Sequence, residues 1–106
     1  MREYKVKVTD HALADMDMIY DYIAKNLQAP DTAMKQYERI ADGILSLSTF
    51  PERYALFDSQ SEHDLGFRKL MVDNYAAIYV VEGSTVTVLR VLYSASDINA
   101  RLRESE

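Results

Sequence analysis

From Glu3 to Val8 polar and apolar residues alternate, with Tyr4, Val6 and Val8 on one side and Glu3, Lys5 and Lys7 on the other. That two-residue period predicts a half-buried first strand. Thr9 or Asp10 is placed to cap a helix in which Leu13, Met16, Tyr20, Ile23 and Leu27 recur at intervals of three and four, with Ala12 and Ile19 widening the stripe. Asp10, Asp15, Asp17 and Asp21 fall mostly off the stripe and read as a solvated face, helped by the helix dipole near the N-terminus. Pro30 breaks the pattern, since it disfavours helical geometry at Ala29 yet suits the first turn of a new helix. A second helix follows from near Asp31, with Ala33, Tyr37, Ile40, Ile44 and Leu47, joined by Met34, Ala41 and Leu45, on its apolar face. Phe50-Pro51 closes it. The two helices make a hairpin.

Periodicity is lost from Glu52 to Asp64, which reads as a charged connecting loop with a short extended piece at Tyr54 to Phe57. Phe67 to Val72, Tyr75 to Val81 and Thr85 to Tyr93 are rich in β-branched and aromatic residues, and Asp73-Asn74 and Glu82-Gly83-Ser84 separate them. These segments predict a three-stranded antiparallel meander. In the tail, Ser96 to Glu106, Ile98 and Leu102 stand four apart and suggest a short C-terminal helix. The expected fold is therefore α+β in two layers, with an N-terminal strand and the helical hairpin packed on one face of a mainly antiparallel sheet.

Composition narrows this further. With 106 residues, 48% hydrophobic, the chain suits one core, so residues 1–106 are expected to form a single domain. No apolar run is long enough to span a bilayer, and Met1 to Val8 lacks the apolar core of a signal peptide, so a soluble cytoplasmic protein is expected. There is no cysteine, and His11 and His63 make a poor ligand set, so neither metal nor cofactor is expected. The net charge of −5 weighs against a broad cationic surface for nucleic acid, but the excess lies in residues 1–66, with 7 basic and 12 acidic side chains. Residues 67–106 hold 5 of each.

Six stretches, spread over nearly the whole chain, resemble the RelE/ParE toxins in their order and spacing. They are Asp21-Tyr22-Ile23-Ala24, Ala29-Pro30-Asp31-Thr32-Ala33, Leu47-Ser48-Thr49-Phe50-Pro51, Phe67-Arg68-Lys69-Leu70, Asn74-Tyr75-Ala76-Ala77-Ile78-Tyr79-Val80 and Thr87-Val88-Leu89-Arg90-Val91-Leu92-Tyr93. The resemblance implies a toxin of a bacterial type II toxin–antitoxin pair, held inactive by a cognate antitoxin. In the ribosome-dependent members it implies an endoribonuclease that cuts mRNA, an mRNA interferase, and in the ParE members inhibition of DNA gyrase.

Metal-free RNA cleavage needs a proton acceptor, a proton donor and cations around the developing negative charge. Arg68 and Arg90 are the candidate cations, because period-two counting sets Arg68 with Leu70 and Val72, and Arg90 with Val86, Val88 and Leu92, on otherwise apolar faces. An arginine there seeks an anion: phosphate, or an internal salt bridge to an acidic helix residue or a bond to a carbonyl. Tyr93, at the end of the last strand, is a candidate proton donor or base-stacking group, or a buried strand-end tyrosine. Relatives often follow this position with a basic cluster, whereas this chain continues Tyr93-Ser94-Ala95-Ser96-Asp97. His63 is a candidate mobile acid or base, or a plain loop histidine, and Lys69 a candidate RNA-binding charge, or a solvated one. Tyr75 and Tyr79 share a face with Ala77 and Val81 and read as core.

Three readings follow, in this order: a ribosome-associated nuclease using Arg68, Arg90, Tyr93 and His63; a gyrase poison acting through its helical hairpin; and an antitoxin-binding module without toxicity. All three share an antitoxin as partner, docking as a helix in a groove or as a strand added to the sheet edge.

Overall fold

The computed structural model describes residues 3–57 and 60–94. Its elements are β1 (Lys5–Val8), α1 (Asp10–Asp21), a π-helical turn (Tyr22–Asn26), α2 (Pro30–Leu45), 3-10 turns at Ser46–Ser48 and Pro51–Arg53, α3 (Gln60–Asp64), β2 (Arg68–Val72), β3 (Tyr75–Glu82) and β4 (Thr85–Tyr93). The α+β fold expected from the pattern is the one observed, with the helical hairpin on one face of the sheet. The proposed C-terminal helix falls outside the described residues.

Strand order is β1-β4-β3-β2. The meander is antiparallel and β1 joins it in parallel, pairing Lys5–Val8 with Thr85–Val88 of the central β4. Two-residue turns close both hairpins, and each places a residue in the left-handed region: Asp73 (φ 55°) and Gly83 (φ 61°). Asp73 is fixed by Arg39 of α2, whose Nε and Nη2 donate to its carboxylate at 2.7 and 2.8 Å, and by Gln36 at 3.0 Å. Those hydrogen bonds, Arg39 first, hold the Asp73 carboxyl below its usual range.

The main core lies between hairpin and sheet, where Ala12, Met16, Ile40, Ile44 and Leu47 meet Leu70, Ala77, Tyr79, Val86, Val88 and Val91. A smaller cluster, Phe57, Ala76 and Ile78 with Phe67 against it, covers part of the opposite face. Helix α2 approaches the sheet so closely that a Cβ on Gly43 would come within 2.8 Å of Val72 Cγ2.

Four details depart from the sequence pattern. The first helix does not continue as α-helix to Leu27. It widens at Tyr22 into a π-helical turn, with the Leu27 N–H donating to Tyr22 O at 3.2 Å, and ends at Gln28 (φ 51°), after which Ala29 N–H reaches back to Ile23 O at 3.1 Å. Leu13, Leu27, Met34 and Leu45, expected in the core, are exposed, whereas Asp15, expected in solvent, is buried. The segment Glu52 to Asp64 is not all loop, since it holds α3, and its extended piece is a single bridge from Leu56 to Arg68. Strand β4 carries a bulge: Ile78 pairs with Arg90 but Tyr79 with Val88, which leaves Leu89 as an extra residue. Beyond it the two-residue period slips, so Val91, not Leu92, faces the helices opposite Ala77.

Two substitutions test this packing. Ile40→Ala should lower unfolding free energy by about 2–5 kcal/mol in denaturant titrations. Gly43→Ala should cost about 1–3 kcal/mol by overpacking, and Val72→Ala in the same chain should recover part of that loss, which distinguishes close approach from a helix-propensity effect.

Candidate functional site

The architecture of the site follows from a mismatch in strand length. β4 has nine residues but β1 pairs with only the first four, so past Val88 the edge of β4 has no described strand beside it. Helix α1 closes that edge instead. Thr9, in extended geometry, caps the helix by accepting the Ala12 N–H at 3.1 Å, while its own hydroxyl donates to Leu89 O at 2.9 Å and its N–H to Val88 O at 3.1 Å. Two turns on, Asp15 takes the Val91 N–H on Oδ2 at 3.0 Å.

The same carboxylate holds Arg90. Nε donates to Oδ2 at 2.7 Å and Nη2 to Oδ1 at 3.0 Å, a two-pronged pair in which Asp15 is 4% and Arg90 8% exposed. The anion beside Arg90 is thus an acidic helix residue. A signal for it existed in the sequence: Asp15 stands three residues after Ala12 and four before Ile19, in phase with the stripe from which its polarity seemed to exclude it.

Arg68 is engaged at the other end of the helix-facing side, opposite Tyr79 in the register. Its Nη1 donates to Tyr54 O at 2.6 Å and to Glu52 O at 3.3 Å, and Nη2 lies 3.8 Å from the Glu52 carboxylate. The Tyr79 hydroxyl donates to Pro51 O at 2.5 Å, and burial pushes its pKa up to about 12, against a smaller opposing pull from Arg68 and Arg53. Arg53 turns back on the end of the hairpin, donating to Thr49 O at 2.5 Å and Phe50 O at 3.0 Å. Arg68, Tyr79 and Arg53 together fold the turn at residues 50–54.

The remaining candidates lie elsewhere. Tyr93 is half exposed, not buried, and its ring packs at a tilt 5.8 Å from that of Tyr75. Tyr93 pairs with Tyr75 and Arg68 with Tyr79, four residues apart along β3, which separates their backbones by about 13 Å. His63 is exposed on α3. Lys69 is exposed on the opposite face of the sheet, 5.5 Å above the Phe57 ring. Arg68 and Tyr93 therefore occupy separate places.

A groove of about 520 Å³ opens between α1, the π-helical turn and the ends of β3 and β4. Met18, Ile19, Tyr22 and Leu27 form one wall, Tyr75, Leu92 and Tyr93 the other, and Asp15 and Val91 also line it. Burial, then Tyr93 and Tyr22, raise the Tyr75 pKa. Among the described residues no group of three or more His, Cys, Asp or Glu is arranged for a metal ion, and no helix is long and apolar enough to cross a membrane.

The model of the ParE toxin of the type II toxin–antitoxin system, parDE, matches residues 6–98. The chain belongs to this family. It is a toxin of the RelE/ParE superfamily. The chromosomal ParDE toxin–antitoxin system from P. aeruginosa contains a similar chain, 27% identical, with a TM-score of 0.72 over 86% of this chain and 96% of that one. The fold is shared with the RelBE2 toxin–antitoxin complex from Mycobacterium tuberculosis (20% identity, TM-score 0.63, 91% and 97% of the two chains). It is shared too with the archaeal RelE-RelB complex from Pyrococcus horikoshii (14% identity, TM-score 0.59, 88% and 97%). No curated protein matches the sequence significantly.

In this ParE-family toxin the Asp15–Arg90 pair should behave as a unit. Asp15→Asn or Arg90→Met alone strands a buried charge and should cost about 3–5 kcal/mol, while the double variant, which keeps an acceptor for Val91 N–H, should cost less than either single change. Chemical denaturation of the three variants checks this. Tyr79 supplies a pH test. Its folded pKa lies above its unfolded one, so the stability it contributes is complete below about pH 10 and is lost as pH rises toward about 12. The thermal midpoint should fall through that window, and Tyr79→Phe should flatten part of the fall.

Proposed function

We propose that this toxin poisons DNA gyrase by binding it, without covalent chemistry, and that a cognate antitoxin neutralises it. The observation that carries this reading is the engagement of both strand arginines inside the fold, Arg90 by Asp15 and Arg68 by the carbonyls of Glu52 and Tyr54. Ribosome-dependent mRNA cleavage would need cations aimed at a phosphate, close to a proton donor and acceptor. Arg68 and Arg90, to which the cation role falls, would have to leave internal partners, and Arg68 would have to approach Tyr93 from a separate place. The match to the ParE family supports the gyrase reading, since gyrase inhibition is what the resemblance implies for ParE members. The ParDE, RelBE2 and RelE-RelB relatives, each from a toxin–antitoxin system, support an antitoxin partner.

Induced expression should stop bacterial growth, and co-expression of the small protein encoded beside it should restore growth. Purified toxin should inhibit gyrase supercoiling while mapped mRNA 5′ ends stay unchanged. New ends within translated codons, with supercoiling intact, would replace this reading by the nuclease, with Arg68, Arg90, Tyr93, His63 and Lys69 as its candidate residues.

A further inference from the structure

Phe50 combines two unfavourable features. Its backbone lies in the left-handed region (φ 46°, ψ 54°), where a bulky side chain is strained. Its ring is also 65% exposed, the highest value among the large apolar side chains of the described residues, with Leu45, the last residue of α2, next at 64%.

The turn that presents this ring is nonetheless held from inside the molecule. The Tyr4 N–H donates to Ser48 O at 2.8 Å, Arg53 takes the carbonyls of Thr49 and Phe50, Tyr79 that of Pro51, and Arg68 that of Glu52. Each carbonyl from Ser48 to Glu52 thus has a partner. Arg53 is fixed in turn by Ser46 Oγ, 3.1 Å from Nη2, and by the Tyr54 ring, 4.7 Å from its guanidinium carbon. Strained geometry persists only where the surroundings impose it, and a large apolar group held rigidly in water brings the free molecule no benefit. It does benefit a complex, because an aromatic anchor on a rigid support loses little freedom on binding.

Place and charge narrow the partner. Tyr79, which holds Pro51, stands four residues along β3 from the groove residue Tyr75, about 13 Å, so the turn is displaced along the sheet from the groove. Beside Phe50 lies a cleft of about 270 Å³, lined also by Tyr4, Pro51, Glu52 and Arg53. The Glu52 side chain is 63% exposed, and its contact with Arg68 Nη2 is long, at 3.8 Å, which leaves the carboxylate open to a cation from outside.

We propose, resting on the gyrase reading above, that the turn at residues 48–53 is the surface by which the toxin binds gyrase. Phe50 enters an apolar pocket of the enzyme, and a lysine or arginine at the rim of that pocket meets Glu52. Arg53, Arg68 and Tyr79 position the turn and do not touch the target.

Phe50→Asn tests this, since it removes the ring with a residue that tolerates left-handed geometry. Its thermal midpoint should stay at or above that of the wild type, while the concentration that half-inhibits supercoiling rises at least about tenfold and growth arrest weakens in parallel. Phe50→Tyr, which keeps the ring, should retain most of the inhibition. Glu52→Gln should weaken capture of purified gyrase by immobilised toxin several-fold at about 50 mM salt and much less at about 300 mM, where exposed charges are screened. Equal inhibition of supercoiling by Phe50→Asn and wild type would overturn the docking turn and leave the gyrase reading intact. Potency lost together with a fallen midpoint would assign the ring to the fold, against the proposal. A wild type that stops growth without affecting supercoiling, beside a harmless Phe50→Asn, would remove gyrase and keep the turn as the target surface. A wild type with neither effect would overturn both.

Discussion

The backbone of β4 beyond Val88 must find partners, and the rest of the structure depends on how it does. β1 stops at Val8, and the chain turns there into α1 instead of extending the sheet. Thr9 and Asp15 then serve the exposed edge, from the bulge at Leu89 to Val91. An aspartate used this way brings a buried charge with it, and Arg90 neutralises that charge from the strand it serves. Helix α1 is thereby pinned across the end of the sheet, with α2 carried along by the short connection through Gln28. The groove is the gap left between the pinned helix and the strand ends.

That arrangement bears on function because it absorbs the cation that sequence reasoning placed in a catalytic role. A guanidinium held by two prongs in the interior is costly to withdraw, since withdrawal leaves Asp15 charged, buried and short of a partner. Arg68 is spent in a comparable way on the turn that follows the helical hairpin, where neighbouring Tyr79 anchors Pro51. What the molecule offers outward near α1 is instead an apolar wall beside the exposed carboxylates of Asp10, Asp17 and Asp21, features suited to recognition. The acidity of the front half of the sequence is part of this surface.

Much of the fold was legible because each element follows its own period: two for β1 and the meander, three and four for the helices, with Pro30 and Asp73-Asn74 as punctuation. The site was less so. The bulge at Leu89 leaves no local mark, since a run of β-branched and aliphatic residues reads the same with or without an extra residue, and one slipped position moved Val91 and Leu92 to opposite faces. The π-helical turn is likewise silent in Tyr22-Ile23-Ala24-Lys25-Asn26, yet it brings Tyr22 to the groove beside Tyr75 and Tyr93. Asp15 was misread because a carboxylate on an apolar stripe makes sense only once a long-range partner is known, and Arg90 is 75 residues away. The alternative of an internal salt bridge to a helix acid did anticipate the chemistry of Arg90, but not which aspartate supplies it.

The central claim is that Arg90 shapes the toxin and does not act on a substrate. The most direct measurement is the toxicity of the Asp15→Asn, Arg90→Met double variant, which removes both charges while keeping an acceptor for the Val91 amide. Expressed at wild-type levels and folded by its unfolding transition, it should still arrest growth and still inhibit supercoiling at concentrations close to those of the wild type. A folded double variant that no longer arrests growth would contradict the account and return Arg90 to the chemistry.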